Sequence, residues 1–246
     1  MSAPSPYAER LSAIPVQRHE VEVGGGTTVY WAYGPSAADA TTTVIAVHGF
    51  RGEHHGLEPV VAYLPDVRVI SPDLPGFGET APLPGRAHDL ATYTDWLREF
   101  ASAVAPGAII LGHSFGSIVT SAAVADGLQT PRLILINPIG APALEGPKGV
   151  LTRLAVLYYA LGARLPERWG TALLRHPIIV RTMSVAMAKT SDPALRRFIH
   201  DQHDTYFSRF SDRDTLHDAF VTSVSHDVRA AAPRISVPTL LIAAQR

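Results

Sequence analysis

The chain has 246 residues, a formal net charge of −1, 46% hydrophobic residues and no cysteine. This composition indicates a globular protein with one large α/β domain or two small ones. The balanced charge leaves no electrostatic footprint for nucleic acid, and the lack of cysteine excludes disulfides, thiolate metal sites and a cysteine nucleophile. No run approaches the roughly 18 apolar residues of a membrane span, and the N-terminus lacks a signal-peptide pattern, so we expect a cytoplasmic protein without a membrane span.

The first half of the chain predicts short strands that alternate with helices. Residues 17–33 form two alternating patterns around three glycines, which indicates a β-hairpin. Short apolar runs that end in turn residues follow at 42–49, 67–73, 108–114 and 132–138. Such runs are typical of strands buried on both faces of a parallel sheet. Because helical patterns lie between them, they predict the α/β class, with a doubly wound and mostly parallel sheet.

The alternation stops after Asn137 and resumes only at the apolar run 238–244. The stretch between them has helical periodicity, and it predicts a helical insertion because long structureless loops are rare in compact domains. We therefore expect a core at 1–138, a helical cap at 139–225 and the last part of the core at 226–246. Eleven Lys and Arg against five Asp and Glu lie from Lys148 to Arg213. This indicates either a solvated helical surface or a cap that steers anionic substrates.

A serine flanked by glycines is the strongest candidate for chemistry. The segment Gly112-His113-Ser114-Phe115-Gly116 lies where a predicted buried strand leads into a predicted helix. A G-x-S-x-G sequence in this setting is typical of a nucleophile on a tight turn. Gly112 and Gly116 would let the strand and helix backbones approach closely. We predict that Ser114 is a nucleophile, and a purely structural turn is the alternative.

A tetrahedral intermediate at Ser114 would need backbone donors for its oxyanion. One is expected from the N–H of Phe115 and the other from the N–H of Phe50, which follows the third predicted strand. His48 and Gly49 would hold the turn before Phe50, and we expect His48 to be structural. The next residues on this loop (Arg51, Glu53, His54 and His55) could contact substrate, but a solvated loop is the favoured interpretation.

The segments "HGF", "DLPGFGET" and "GHSFGS" occur in the order and spacing of the α/β-hydrolase superfamily. The chain most resembles its capped members, which include carboxylesterases and carbon-carbon bond hydrolases. This resemblance implies an α/β-hydrolase core with a cap, a serine nucleophile, and no cofactor or metal. Dehalogenases and epoxide hydrolases of this superfamily carry an aspartate at the elbow, and Ser114 argues against both.

The resemblance also implies a catalytic acid and then a histidine later in the chain. The acid is expected after the apolar run 238–244 and the histidine after one further strand, but the sequence stops at Arg246. The position after the preceding strand, which some relatives use for the acid, is Asn137. We favour a fragment whose acid and histidine lie beyond Arg246. A natural terminus without the usual catalytic set is the alternative.

The histidines inside the sequence do not meet this requirement. His113 adjoins the nucleophile but is expected to point away from it. His200 and His203 would lie on one face of a helix, and a solvated helix is favoured over a metal site. His217 and His226 are expected to cap or cover helices.

These observations predict a serine hydrolase of small or medium carboxylic esters that acts through an acyl-enzyme on Ser114. One alternative is hydrolysis of a carbon-carbon bond in a diketone-like acid, for which a basic cap would suit an anionic substrate. The other is a non-catalytic module that binds a small molecule. The expected partner is a small-molecule substrate, and neither nucleic acid nor a membrane span is expected.

Overall fold

The computed structural model describes residues 4–141 and 149–243. In this part of the chain seven strands form one sheet in the order β1-β2-β4-β3-β5-β6-β7. The strands are β1 (Val16–Val23), β2 (Gly26–Tyr33), β3 (Thr43–Val47), β4 (Arg68–Pro72), β5 (Ile109–His113), β6 (Leu133–Ile136) and β7 (Thr239–Ile242). The predicted 142–148 portion of the cap lies outside the described residues.

Nine α-helices accompany the sheet within the described ranges. They are α1 (Ala8–Ser12), α2 (Glu58–Val61), α3 (Leu90–Val104), α4 (Phe115–Ala125), α5 (Gly149–Arg164), α6 (Glu167–Leu174), α7 (Pro177–Met187), α8 (Pro193–Tyr206) and α9 (Arg213–Ser225). The last five lie between β6 and β7, where the sequence predicts the helical insertion. The exact cap boundaries, 139–225, stay a prediction.

The sheet has the predicted hairpin at its antiparallel end and parallel pairing elsewhere. β1 and β2 are joined through Gly24 and Gly25, whose φ values of +64° and +82° suit glycine. β2 also pairs antiparallel with β4, whereas the pairs β4–β3, β3–β5, β5–β6 and β6–β7 are parallel. Since parallel strands end at the same edge, the segments after β3, β5 and β6 meet there.

The central strands are apolar throughout because both faces are covered. On β3, Val44 and Ala46 pack in a cluster with Trp31 and Val61, whereas Ile45 and Val47 belong to the larger cluster on the other face. The buried residues of α3 in that larger cluster are Tyr93, Trp96, Leu97, Phe100 and Ala101. The Trp96 indole donates to Thr28 Oγ1 at 2.8 Å, which ties this helix to β2. This double coverage confirms the predicted doubly wound sheet.

The insertion shares its interior with the rest of the protein. Leu216 and Phe220 of α9 are buried in the same cluster as Trp96 and Phe115, together with Tyr159 of α5. The Phe220 and Tyr159 rings stack with centroids 4.0 Å apart. Helices α5 and α9 of the insertion are therefore packed on the core.

Helices α7 and α8 are joined by a buried hydroxyl between two imidazoles. Ser184 Oγ, which is fully buried, lies 2.5 Å from Nδ1 of His200 and 2.8 Å from Nδ1 of His203. A hydroxyl donates only one hydrogen bond, so at least one of the two imidazoles must donate to Ser184 Oγ. The expectation of a solvated helix face is thus wrong for these two histidines.

The burial of His203 makes the stability of the protein sensitive to acid. Burial, with smaller effects of His200 and Arg181, lowers the pKa of His203 to about 4. In the unfolded chain the pKa is about 6.5, so below that pH the unfolded state takes up a proton that the folded state does not. We expect the free energy of unfolding to fall by about 1–3 kcal/mol between pH 6.5 and 4 from this residue alone. Urea unfolding at several pH values would measure this loss.

A His203→Gln variant should lack this component of the pH dependence. His176→Gln, which replaces an exposed histidine, should retain it. If both variants lose stability with acid as steeply as the unaltered protein, His203 is not the source.

Candidate active site

Ser114 lies on the turn between β5 and α4 with a backbone conformation that few residues adopt. Its φ is 53° and its ψ is −115°, whereas a non-glycine residue normally has negative φ. The backbone is tied down on both sides, since Ser114 N–H donates to Ile136 O at 3.0 Å and Ser114 O accepts from Ser117 N–H at 2.9 Å. Strained conformations of this kind persist only where surrounding structure holds them, and they cluster at functional sites.

The two glycines that flank Ser114 allow a very close approach of backbones. A Cβ on Gly116 would lie 2.6 Å from His48 O, and a Cβ on Gly112 would lie 2.5 Å from Gly116 O. Carbon and oxygen atoms that are not bonded need well over 3 Å, so any side chain at either position would force the strand and helix apart. The turn that presents Ser114 therefore depends on both glycines.

A Gly116→Ala variant tests this dependence. Alanine favours a helix by about 1 kcal/mol over glycine, but here the added methyl would collide with the carbonyls of Val47 and His48. We expect a net loss of about 3 kcal/mol in the free energy of unfolding. Urea denaturation would measure it, and Gly140→Ala, where the methyl meets nothing within 4 Å, is the matched control. Equal stability of the two variants would contradict the argument.

The loop after β3 lies directly against Ser114. A Cβ on Gly49 would be 3.2 Å from Ser114 Cβ, so a side chain at this position would have to displace the loop by a few tenths of an ångström. Phe50 follows Gly49, and Phe115 is the first residue of α4, whose N–H groups precede the first intrahelical hydrogen bonds. The structure thus brings Phe50 and Phe115 beside the serine, and their role as oxyanion donors stays a prediction.

His48 joins this loop to the turn after β4. Its Nδ1 donates to Gly49 O at 2.8 Å and its Nε2 accepts from Leu74 N–H at 2.9 Å. Burial lowers the pKa of His48, which agrees with the neutral tautomer that these two bonds require. Both ring nitrogens of His48 are therefore occupied by bonds between the loop and the turn, and its role as a support of the loop stays a prediction.

The expectation that the next residues form a solvated loop is wrong. Arg51, Glu53 and His54 are almost fully buried, with exposed fractions of 1–3%. Arg51 points into the insertion, where its guanidinium donates to Phe207 O at 2.9 Å, Tyr159 Oη at 3.1 Å and Leu174 O at 2.7 Å. Three segments that follow β6 are therefore bound by one side chain of the loop beside Ser114.

His54 is held by a buried carboxylate. Asp73, which directly follows β4 and is fully buried, accepts from His54 N–H at 2.8 Å and from His54 Nδ1 at 3.0 Å through one oxygen. The other oxygen accepts from Glu79 N–H at 2.8 Å. Burial raises the pKa of Asp73 to about 6 and lowers that of His54 to about 3, so at neutral pH the carboxylate is charged and the imidazole neutral.

A second carboxylate–imidazole pair lies next to this one. Glu53 Oε1 accepts a hydrogen bond from His55 Nδ1, and the His55 ring stacks on Tyr206 of α8 with centroids 4.3 Å apart. Ligand atoms of Glu53, His54 and His55 lie within 4.8 Å of one another, which is a spacing suitable for a cation. Each Nδ1 is already bound to a carboxylate, however, so these contacts are satisfied without a metal ion.

Ser114 opens onto a cavity of about 620 Å³ between the core and the insertion. Its wall on the core side comprises His48, Gly49, Phe50, Gly52, Glu53, His55, Gly56, Leu57, Pro59, His113, Ser114 and Asn137. Its wall on the insertion side comprises Met187, Ala188, Lys189, Phe198, Ile199, Gln202, His203, Tyr206 and Phe207. The second wall is largely apolar, so the cavity suits a substrate with an aliphatic or aromatic part near an electrophilic carbon.

A proton acceptor for Ser114 is not in place in the part of the chain described here. Within residues 4–141 and 149–243, no imidazole forms a hydrogen bond with the Ser114 hydroxyl. His113 and His203 line the cavity, and burial is the leading cause that lowers the pKa of both. Asn137 follows β6 with φ 46° and also lines the cavity. The acid and histidine expected beyond Arg246 stay predictions.

Comparison with known proteins identifies the family. A family profile described as "Alpha/beta hydrolase family" matches residues 44–245, which is most of the sequence. The chain belongs to the α/β-hydrolase family. The sheet order and the serine turn between β5 and α4 agree with this assignment, so the fold implied by the resemblance of the sequence motifs is confirmed. Like its family, this α/β-hydrolase is a hydrolase.

Several solved structures share the fold at low sequence identity. A bacterial membrane phospholipase A gives a TM-score of 0.69 at 18% identity, over 97% of this chain and 73% of that one. Epoxide hydrolase A from Mycobacterium thermoresistibile gives a TM-score of 0.63 at 19% identity, over 93% of this chain and 82% of that one. A mutant of the N-acyl homoserine lactonase AidH gives a TM-score of 0.63 at 16% identity, over 93% of this chain and 78% of that one. No curated protein matches the sequence.

Among the described residues, none of the helices of this α/β-hydrolase is both long enough and apolar enough to cross a bilayer.

Proposed function

We propose that this α/β-hydrolase is a serine hydrolase that cleaves small or medium carboxylic esters through an acyl-enzyme on Ser114. The observation that carries the proposal is the strained turn that presents Ser114 to the cavity, directly against the Gly49 loop. A strained serine is costly to maintain, and a nucleophile on a strand-to-helix turn is its best-known use. The cytoplasmic location inferred from the sequence also stays a prediction.

The proposed reaction uses the residues around the serine in order. Ser114 Oγ attacks the ester carbonyl carbon and loses its proton to a general base, and the alcohol leaves with a proton. The N–H groups of Phe50 and Phe115 would bind the oxyanion, with the positive end of α4 close by. Water then attacks the acyl-enzyme and releases the acid.

The cavity and the relatives of known structure support an ester substrate. The apolar side chains of Met187, Phe198 and Ile199 would contact the acyl or alcohol part. Two similar structures are named as a phospholipase A and an acyl homoserine lactonase, and ester and lactone bonds both contain the carbonyl that a serine attacks.

Two alternatives rest on other observations. Lys189 lines the cavity, and a cation there would suit the acidic substrate of a carbon-carbon bond hydrolase. The lack of an imidazole bound to the Ser114 hydroxyl in the described residues would suit a module that only binds a small molecule. Product analysis with aryl esters and with diketone-like acids separates the first alternative from the ester hydrolase.

The test of the proposed function is covalent labelling of the full-length protein with a fluorophosphonate, followed by peptide mass analysis. We expect the label on the peptide that contains Ser114, together with turnover of 4-nitrophenyl butanoate. Labelling with turnover only of diketone-like acids would replace the ester hydrolase by the first alternative. Absence of both labelling and turnover would favour the binding module.

A further inference from the structure

The cavity has one polar corner, formed by Glu53 and His55, that the proposed attack on an ester does not use. Glu53 is 1% exposed and its Oε1 accepts from His55 Nδ1. The carboxylate thus fixes one nitrogen of the ring. His55 Nε2 forms no hydrogen bond within the described parts of the chain, and His55 lines the cavity together with Ser114.

Neighbouring side chains hold this pair in one orientation. Tyr206 stacks on the His55 ring at an interplanar angle of 18°. The Arg209 guanidinium lies over the Tyr206 ring, 4.8 Å from the ring centroid. Its Nη1 is 3.6 Å from Glu53 Oε2. A donor whose rotamer is locked by packing loses little entropy when it binds a ligand.

The surroundings favour the protonated form of His55. Burial acts to lower the pKa of His55, but the hydrogen bond to Glu53 and the charges of Glu53, Glu58 and Asp73 outweigh it and raise the pKa above its ordinary value. The other groups that face the ring are Tyr206 and the His54 ring, whose centroid is 3.9 Å away. His54 is neutral at neutral pH, so it does not repel the charge on His55.

The charges on the cavity wall are unbalanced toward positive. Among its described lining residues, Glu53 alone carries a carboxylate, and this group is already bound to His55 and close to Arg209. Lys189 lines the opposite wall. An anionic group that entered the cavity would therefore meet donors and cations, and the single carboxylate among the described lining residues already lies between His55 and Arg209.

We propose that His55, held by Glu53, binds a carboxylate on the acyl part of the substrate, so that the preferred substrates are half-esters of dicarboxylic acids. This inference rests on the proposed function, since it names the substrate class of that same site. A charge-assisted hydrogen bond is about twice as strong as a neutral one, which makes a carboxylate the best acceptor for the second N–H of His55. His55 is a specificity residue in this scheme and takes no part in bond cleavage.

The test compares two esters with the same leaving group and acyl length, 4-nitrophenyl hydrogen glutarate and 4-nitrophenyl pentanoate. The succinate and adipate half-esters extend the series to other lengths. We expect kcat/KM for the best half-ester to exceed that of its uncharged match by about 10- to 100-fold near neutral pH. The ratio should decrease as pH rises and His55 loses its proton.

Variants separate recognition by His55 from a structural effect. In His55→Gln the ratio of the two kcat/KM values should fall to about one, mainly through KM of the half-ester. In Glu53→Gln, loss of the carboxylate lowers the pKa of His55, so the preference should survive only at lower pH. His176→Gln, at an exposed position, should retain the preference. Equal kcat/KM for both esters in the unaltered protein, or a preference that His55→Gln retains, would overturn the proposal.

A binding measurement distinguishes failure of the carboxylate site at His55 from failure of the serine hydrolase assignment. If neither ester is hydrolysed, the serine hydrolase assignment fails, and calorimetry with N-butyl glutaramic acid then decides the role of His55. Weaker binding by about 10-fold or more in His55→Gln supports the carboxylate site. Equal binding in the two proteins overturns it.

Discussion

Replacing Ser114 with alanine is expected to reduce kcat for ester hydrolysis by about 10⁴-fold or more. Without the hydroxyl there is no acyl-enzyme, and only the oxyanion donors and substrate binding would remain to accelerate the reaction. Initial rates at saturating 4-nitrophenyl butanoate would measure this loss. Ser121→Ala is the matched control, because Ser121 is a buried serine of α4 whose hydroxyl, among the described residues, bonds only to Ile118 O. Residual activity within tenfold of the unaltered protein would place the nucleophile elsewhere.

A glycine at this position separates strain from chemistry. Ser114→Gly should be as inactive as Ser114→Ala, but glycine adopts φ 53° without the steric cost that alanine bears. This gain in stability is offset in part because glycine has a higher conformational entropy than alanine in the unfolded chain. We expect Ser114→Gly to be more stable than Ser114→Ala by up to about 1 kcal/mol, as measured by urea unfolding.

Replacing Asp73 with alanine is expected to cost about 3–5 kcal/mol in the free energy of unfolding. The carboxylate accepts three hydrogen bonds at a site with no solvent exposure, from two backbone N–H groups and from His54 Nδ1. Alanine would leave all three donors without an acceptor. Thermal and urea unfolding measure the loss, and Asp66→Ala, at an exposed aspartate, is the control.

Asp73→Asn gives a graded version of the same experiment. The asparagine oxygen can accept the hydrogen bonds that one carboxylate oxygen accepts in the unaltered protein. Its NH₂ group would replace the other oxygen and would face a backbone N–H donor, that of either His54 or Glu79. We expect a loss intermediate between the unaltered protein and Asp73→Ala. A cost of Asp73→Ala no greater than that of Asp66→Ala would contradict the role assigned to this carboxylate.

Features that depend on neighbours in the sequence could be predicted well. The hairpin at 17–33 is encoded by alternating residues around glycines, and the structure has β1 and β2 there. The central strands are short apolar runs because each is covered on both faces. The turn at Ser114 was also predictable, since Gly112 and Gly116 are required locally for the approach of strand and helix.

Features that depend on distant partners could not be predicted. A loop containing Arg51, Glu53 and His54 has the composition of a solvated segment, yet all three are buried. Their burial is possible because partners more than a hundred residues away in the chain, such as Leu174 and Phe207, accept the hydrogen bonds of Arg51. The sequence carries no local signal for such pairing. The sequence likewise carries no local signal that Ser184 forms hydrogen bonds with two histidines of the next helix.

The three hydrogen bonds of Arg51 have a mechanical consequence for access to the cavity. The residue before Arg51 is Phe50, so the segment expected to bind the oxyanion is anchored to α5, to the end of α6 and to Phe207, and Phe207 also lines the cavity. Movement of Phe207 away from the core must break its hydrogen bond to Arg51 or pull the loop away from Ser114. Entry of substrate and assembly of the catalytic surface are therefore thermodynamically linked: a ligand that fills the closed cavity stabilises the arrangement in which attack can occur.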